Sequence, residues 1–174
     1  MKLVLLGGMS PHNKPWIYQV RDALAPLFDE CLVHEYAHWN DAEKTPDLEF
    51  ELAAVADKVK SLSEYVVFAK SFGTALTLKG INGGLLSPVA CLFAGLPLAL
   101  IKEKGLVAAD WLAASQVPTI IVQNTDDPVG GFAELKAYTA GASSTCQLVE
   151  LPGNTHEYSD LQRLGELASS LLDR

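Results

Sequence analysis

Positive charge is scarce in this chain of 174 residues: 13 lysines and arginines face 21 aspartates and glutamates, a net charge of −8. Binding to a nucleic-acid backbone draws on counterions displaced by basic side chains, so the composition argues against nucleic acid as a partner. Cysteine is scarce too. Cys31, Cys91 and Cys146 are odd in number, widely spaced and set among apolar neighbours, which argues against a disulfide framework and for reduced, buried thiols. Long apolar runs are missing. The opening MKLVLLGG is too short for the core of a signal peptide, and no stretch approaches the roughly 20 residues that span a bilayer. The expectation is a soluble, cytoplasmic protein with no membrane span. There is no internal repeat, low-complexity tract or Gly/Ser-rich linker, so residues 1–174 read as one domain, large enough to bury a core without disulfides or metals.

What the chain does have is alternation. Short apolar runs at Lys2 to Gly8, Cys31 to Trp39, Tyr65 to Lys70, Val89 to Gly95, Val117 to Asn124 and Cys146 to Gly153 read as strands. Between them, Pro15 to Leu27, Leu48 to Ser63, Phe72 to Leu78, Leu106 to Ala114, Gly131 to Thr139 and Tyr158 to Leu172 read as crossover helices, with apolar residues every three or four positions in the longer ones. Strand, helix, strand in strict alternation implies a parallel sheet covered by helices. YVVFA, ACLFAGLPLAL and PTIIV are near-continuous apolar runs and belong at its centre.

One motif points elsewhere. His34, Glu35 and His38 spell H-E-x-x-H, which on a helix places two histidines on one face to grip zinc, with the glutamate activating water. On a strand, at about 3.3 Å per residue, His34 and His38 stand ~13 Å apart and cannot share an ion whose ligands bond at ~2 Å. No third histidine follows at the peptidase spacing, and only Glu49 or Glu51 could serve as a third ligand. The strand reading therefore predicts no metal site and puts His38 and Trp39 at the border of a substrate cleft.

The chemistry gathers at the carboxyl ends of the strands. YVVFAK runs into Ser71, and the small residues Ala69 and Gly73 flank the serine two positions away on either side, as a sharp strand-to-helix turn requires. A serine needs a base held by an acid. Asp126 and Asp127 follow the fifth strand and His156 follows the sixth, each at the sheet edge where ligands bind. His12, after the first strand, is the rival histidine. Asp127 could instead cap the helix near Gly131. The Gly7-Gly8-Met9-Ser10 turn could cradle a phosphate, but it lacks both G-x-G-x-x-G and G-x-x-x-x-G-K-[ST]. A small-x-Ser-x-Gly pentapeptide alone is weak evidence; the order serine, acid, histidine at successive strand ends makes it specific.

With those residues in place the chain resembles the α/β-hydrolase family, over nearly its whole length. It looks closest to small, cap-less members whose elbow reads G-K-S-x-G and whose acid loop reads G-x-x-D-P-x-G: Lys70 and Ser71 match the first, and Asp127, Pro128 and Gly130 match the second. Ala69 and Asn124 replace the glycines that open the two motifs, alanine being small and asparagine tolerating positive φ. The resemblance implies a minimal α/β-hydrolase fold: a three-layer sandwich whose six-stranded, mostly parallel sheet runs in the order 2-1-3-4-5-6, with helices on both faces. It implies a Ser71, His156, Asp127 triad, with Asp126 as the alternative acid. It further implies an oxyanion hole from the Phe72 and Met9 amides, with Ser10 second to Met9, acting on a small-molecule acyl substrate without a cofactor. Ser10, His12, His38 and Trp39 are the candidate cleft residues, and Lys70 either lends positive potential beside the serine or, as the default, faces solvent. The segment from Ala94 to Gln116 leaves no room for a folded cap, so the site should be open. Leu96 to Ile101 is apolar enough to line an acyl pocket or a homodimer interface, with buried core as the default. A non-catalytic interaction module of the same fold and a flavodoxin-like nucleotide- or flavin-binding domain are the competing readings.

Overall fold

The computed structural model describes residues 1–41, 43–140 and 145–173. Its strands β1 (Lys2–Leu6), β2 (Glu30–His34), β3 (Tyr65–Lys70), β4 (Ala90–Ala94), β5 (Thr119–Asn124) and β6 (Cys146–Leu151) form one sheet in the order 2-1-3-4-5-6. Every pairing is parallel. The helices are α1 (Asn13–Leu24), α2 (Leu48–Val59), α3 (Phe72–Asn82), α4 (Leu98–Glu103), α5 (Ala108–Ala114), α6 (Phe132–Tyr138) and α7 (Leu161–Leu172). α1 packs against α7, and α2 and α5 pack against α3, which covers the two faces of the sheet.

Burial follows the sequence pattern. Every residue of β3, β4 and β5 is buried, as continuous apolar runs with helices on both sides require, whereas β2 and β6 at the edges are largely half-buried. The register pairs Leu6 with Ala69, Lys70 with Ala94 and Asn124 with Leu151, so the loops after these strands leave the same edge of the sheet. α3 crosses close to that edge because Gly73 has no side chain. A Cβ there would meet the Leu6 carbonyl oxygen at 2.8 Å, and the Gly73 amide instead donates to the Gly7 carbonyl at 3.2 Å.

Three expectations are corrected. The second strand does not run to Trp39; it stops at His34, and Ala37–Trp39 is a turn of 3-10 helix. Glu51 of α2 captures the Ala37 amide at 2.7 Å, which ends the ladder and turns the chain inward. The predicted helix from Tyr158 begins only at Leu161, because the Asp160 carboxylate accepts from the Arg163 amide and caps it there. Between β4 and β5 lies α4 as well as the expected α5. Leu96, Leu98 and Ile101 are buried in the core, while Leu100 is only half-buried. Of the three thiols, which are all free, only Cys91 is fully buried; Cys31 and Cys146 are half-buried. No helix among the described residues is long and apolar enough to cross a membrane.

Candidate active site

Ser71 leaves β3 at φ 52° and ψ −116°, and it is the one non-glycine residue at positive φ among those described. Such a backbone costs on the order of 1–3 kcal/mol and persists only where its surroundings enforce it. They do so here through the Ser71 amide, which donates to the Ala94 carbonyl at 3.1 Å, and through α3, which starts at the next residue. The result is a strained, half-buried strand-to-helix turn of the kind an elbow serine needs.

Two later strand ends bring a histidine and an acid together. His156 Nδ1 donates to Asp127, 2.8 Å from Oδ2 and 3.0 Å from Oδ1. Asp127, not Asp126, is thus the carboxylate that meets the imidazole, and Asp126 faces solvent. Asp127 does not cap α6, whose N-cap is Gly131; it accepts from the Val129 amide at 2.9 Å and from the Tyr158 hydroxyl at 2.6 Å. The imidazole also packs beside the elbow, because a Cβ on Gly95, next to Ala94, would meet His156 Cε1 at 2.8 Å. His156 Nε2 is buried and has no hydrogen-bond partner among the described residues, Ser71 Oγ included.

Burial pushes the Asp127 carboxyl upward, but the bonds from His156, Tyr158 and Val129 together outweigh it and hold the group below its ordinary 3.8. A depressed folded-state pKa stabilises the fold at pH values above the unfolded value, and that contribution disappears as pH falls through the folded value. Urea midpoints measured between pH 7 and pH 2 should therefore fall more steeply below about pH 4 for the wild type than for Asp127→Asn. Parallel curves would show that Asp127 carries no such linkage. Burial, and then the Asp127 carboxylate it bonds, push the Tyr158 hydroxyl well above its ordinary value, so it remains a donor.

Asn124 has a different role from the one its place in the motif suggested. It is not at positive φ. Its Nδ2 donates to the carbonyls of Thr155 at 2.8 Å and Glu157 at 3.0 Å, the two residues that bracket His156. Gly153 makes room for this clamp, since a Cβ there would strike the Asn124 amide carbon at 2.9 Å.

The loop after β1 is pinned from behind. The Gly7 carbonyl accepts from Tyr36 Oη at 3.0 Å, and the Met9 carbonyl accepts from His38 Nε2 at 2.6 Å and from Trp39 Nε1 at 3.0 Å. Met9's own amide, between these two anchored carbonyls, donates to no backbone acceptor among the described residues, and neither does the Phe72 amide. Tyr36 is fully buried, stacks on His38 and meets the Phe72 ring edge to face at 5.3 Å. Behind it, the buried Glu51 carboxylate binds His34 Nε2 at 2.8 Å and the Ala37 amide, with His38 Nδ1 at 4.0 Å. His34 and His38 thus converge on one carboxylate instead of standing ~13 Å apart on a strand. No group of three or more candidate metal ligands gathers there or elsewhere among the described residues. Burial pulls the His34 imidazole below its usual pKa, with the Glu51 hydrogen bond acting in the opposite sense.

Two cavities flank the elbow. One, of about 670 Å³, is lined by Ser10, His12, Lys70, Asn154, His156 and Tyr158 among others. The other, of about 720 Å³, is lined by Met9, Phe72, Ala75, Leu100 and Leu106 with polar neighbours. Ser10 and His12 therefore border the histidine side, whereas His38 and Trp39 lie behind Met9 and line neither cavity. Lys70 is not solvent-facing: it is 6 % exposed and bonds Asn13 Oδ1 at 2.6 Å.

A model of the alpha/beta hydrolase domain family matches residues 16–174. The chain belongs to that family. No curated protein matches it in sequence. Among solved α/β hydrolases, the serine hydrolase homologue from Coxiella burnetii shares 20 % identity over 99 % of this chain and 85 % of that one, with a TM-score of 0.78. Est1E from Butyrivibrio proteoclasticus, solved with ferulic acid bound, shares 14 % over 99 % and 90 %, with a TM-score of 0.74. The Paleococcus ferrophilus monoacylglycerol lipase shares 11 % over 98 % and 94 %, with a TM-score of 0.73. Likeness at this level of identity shows the α/β-hydrolase fold, and the residues above carry the rest.

Proposed function

We propose that this α/β hydrolase is a serine hydrolase that cleaves an ester, thioester or related acyl bond. Ser71 Oγ attacks the acyl carbonyl as His156 Nε2 takes its proton, and Asp127 holds the imidazole with Nδ1 protonated. The amides of Met9 and Phe72 receive the charge that forms on the carbonyl oxygen, the first kept in place by the anchored carbonyls on either side of it. Collapse of the intermediate breaks the bond to the leaving group, which takes the proton from His156. Water, activated by the same histidine, then releases the acid and restores Ser71. No cofactor enters these steps.

The observation that carries this reading is the His156–Asp127 pair beside a serine held at positive φ, with the second imidazole nitrogen buried and unpartnered. The missing Ser71 to His156 hydrogen bond is no obstacle, since catalytic hydrogen bonds often tighten only around substrate. An esterase and a lipase among the structural relatives fit acyl chemistry, and the three free thiols fit a reducing cytoplasmic setting. Wild-type protein treated with a fluorophosphonate should gain the phosphonyl mass on the peptide that contains Ser71. A protein left unmodified, or modified elsewhere, would overturn the reading.

A further inference from the structure

The residue just before the elbow serine bears on what the substrate carries. Lys70 Nζ has three N–H groups, of which one reaches Asn13 Oδ1, and the ammonium lies 5.3 Å from the centre of the Trp16 ring. Among the described residues no carboxylate pairs with it. Asp127 is already engaged by His156, Tyr158 and Val129, and Glu157, which also lines the cavity, attracts the ammonium only through space. Taking an unpaired charge out of water is expensive, and a well-packed apolar residue would do better at the same place. The lysines of the second cavity differ: Lys79 is paired with Glu49, and Lys104 with Glu103.

The two cavities also differ in the charges they hold. The one with Met9 and Phe72 has the apolar side chains of Ala75, Leu100 and Leu106 beside Asp47, Glu49 and the two ion-paired lysines. The one with Lys70 contains His156, the group that returns a proton to the leaving group, together with the polar side chains of Ser10, His12, Asn154 and Thr155.

We propose that Lys70 is an anion-binding residue of the leaving-group pocket, and that the substrate is an acyl ester or thioester whose leaving group carries an oxyanion such as a carboxylate. Which side of the scissile bond this cavity serves rests on the proposed Ser71 hydrolysis; the anion site itself does not.

A matched pair of substrates tests it: the butyryl esters of 3-hydroxybenzoate and 3-hydroxybenzamide, equal in size and differing in charge. The wild type should prefer the carboxylate by about tenfold or more in kcat/KM, as a charge-assisted hydrogen bond in a sheltered pocket implies, and Lys70→Met should bring the ratio near one. Equal rates, or a preference for the amide, would overturn the proposal. Calorimetric binding of free 3-hydroxybenzoate against 3-hydroxybenzamide reads the same site without catalysis. A wild type that takes up no fluorophosphonate yet binds the benzoate through Lys70 retains the anion site and loses the hydrolase reading. One that is labelled at Ser71 yet discriminates in neither assay retains the hydrolase and loses this inference. Lys70→Met removes an unpaired buried charge, so it should fold, and the wild-type ratio needs no variant at all.

Discussion

Ser71→Ala should lower kcat for a short acyl ester by about 10⁶-fold, and Asp127→Asn by about 10⁴-fold, with KM changed far less in both. The two numbers differ because the residues do different things. On the proposed mechanism, loss of Ser71 Oγ prevents an acyl-enzyme, and only binding and the two amides would remain to assist water. Without the Asp127 charge the proposed nucleophile is present, but the imidazole is free to adopt the tautomer that protonates Nε2, the nitrogen that in the proposed mechanism accepts the serine proton. Here the Tyr158 hydroxyl adds a twist, since it donates to the same Oδ2 that binds His156. An asparagine oxygen at the Oδ2 place can accept from both, but its amide nitrogen then faces the Val129 amide and His156 Nδ1, two donors that the carboxylate accepted from. Steady-state hydrolysis with both variants, checked for folding by thermal melts, decides the matter. Residual activity within about tenfold of wild type in Ser71→Ala would remove serine catalysis altogether.

The second large effect lies behind the site. Glu51→Ala should destabilise the fold by about 3–5 kcal/mol, because His34 Nε2 and the Ala37 amide each lose a buried acceptor at about 1–3 kcal/mol apiece. For a chain of this size that corresponds to a fall in Tm of roughly 6–20 °C. The carboxylate side chain is 3 % exposed and serves His34 and the Ala37 amide, with His38 close by, so its loss leaves several buried polar groups without an acceptor. Truncating Glu166, which is exposed, should leave Tm unmoved. A Glu51→Ala melt within 2 °C of wild type, about the least that 1 kcal/mol produces in a chain this long, would show that the cluster is slack.

The sheet, the turn at Ser71 and the meeting of His156 with Asp127 were legible for the same reason. Parallel strands covered on both faces must be apolar throughout, so Tyr65–Lys70 and Thr119–Asn124 stand out, and catalytic groups then fall where those runs end. What was hidden depends on contacts between residues far apart in sequence. The strand-like run from Cys31 breaks at His34 because a carboxylate on α2 takes the Ala37 amide, and no local pattern encodes that partner. Asn124 looked like a tolerated substitute in a turn, yet its side chain clamps a loop thirty positions later. Lys70 reads as a surface cation by type, and it is buried only because it ends a central strand beneath Asn13 and Trp16. Tyr158 carried no motif at all, and only its bond to Asp127 reveals it.

Ser71 itself has one more consequence. Glycine would adopt φ 52° without strain, as Gly84, Gly95 and Gly105 do elsewhere in the chain. A drift toward greater stability alone would therefore put glycine at position 71. A side chain bearing a hydroxyl sits there at a standing thermodynamic disadvantage, so whatever keeps it must act through something other than folding.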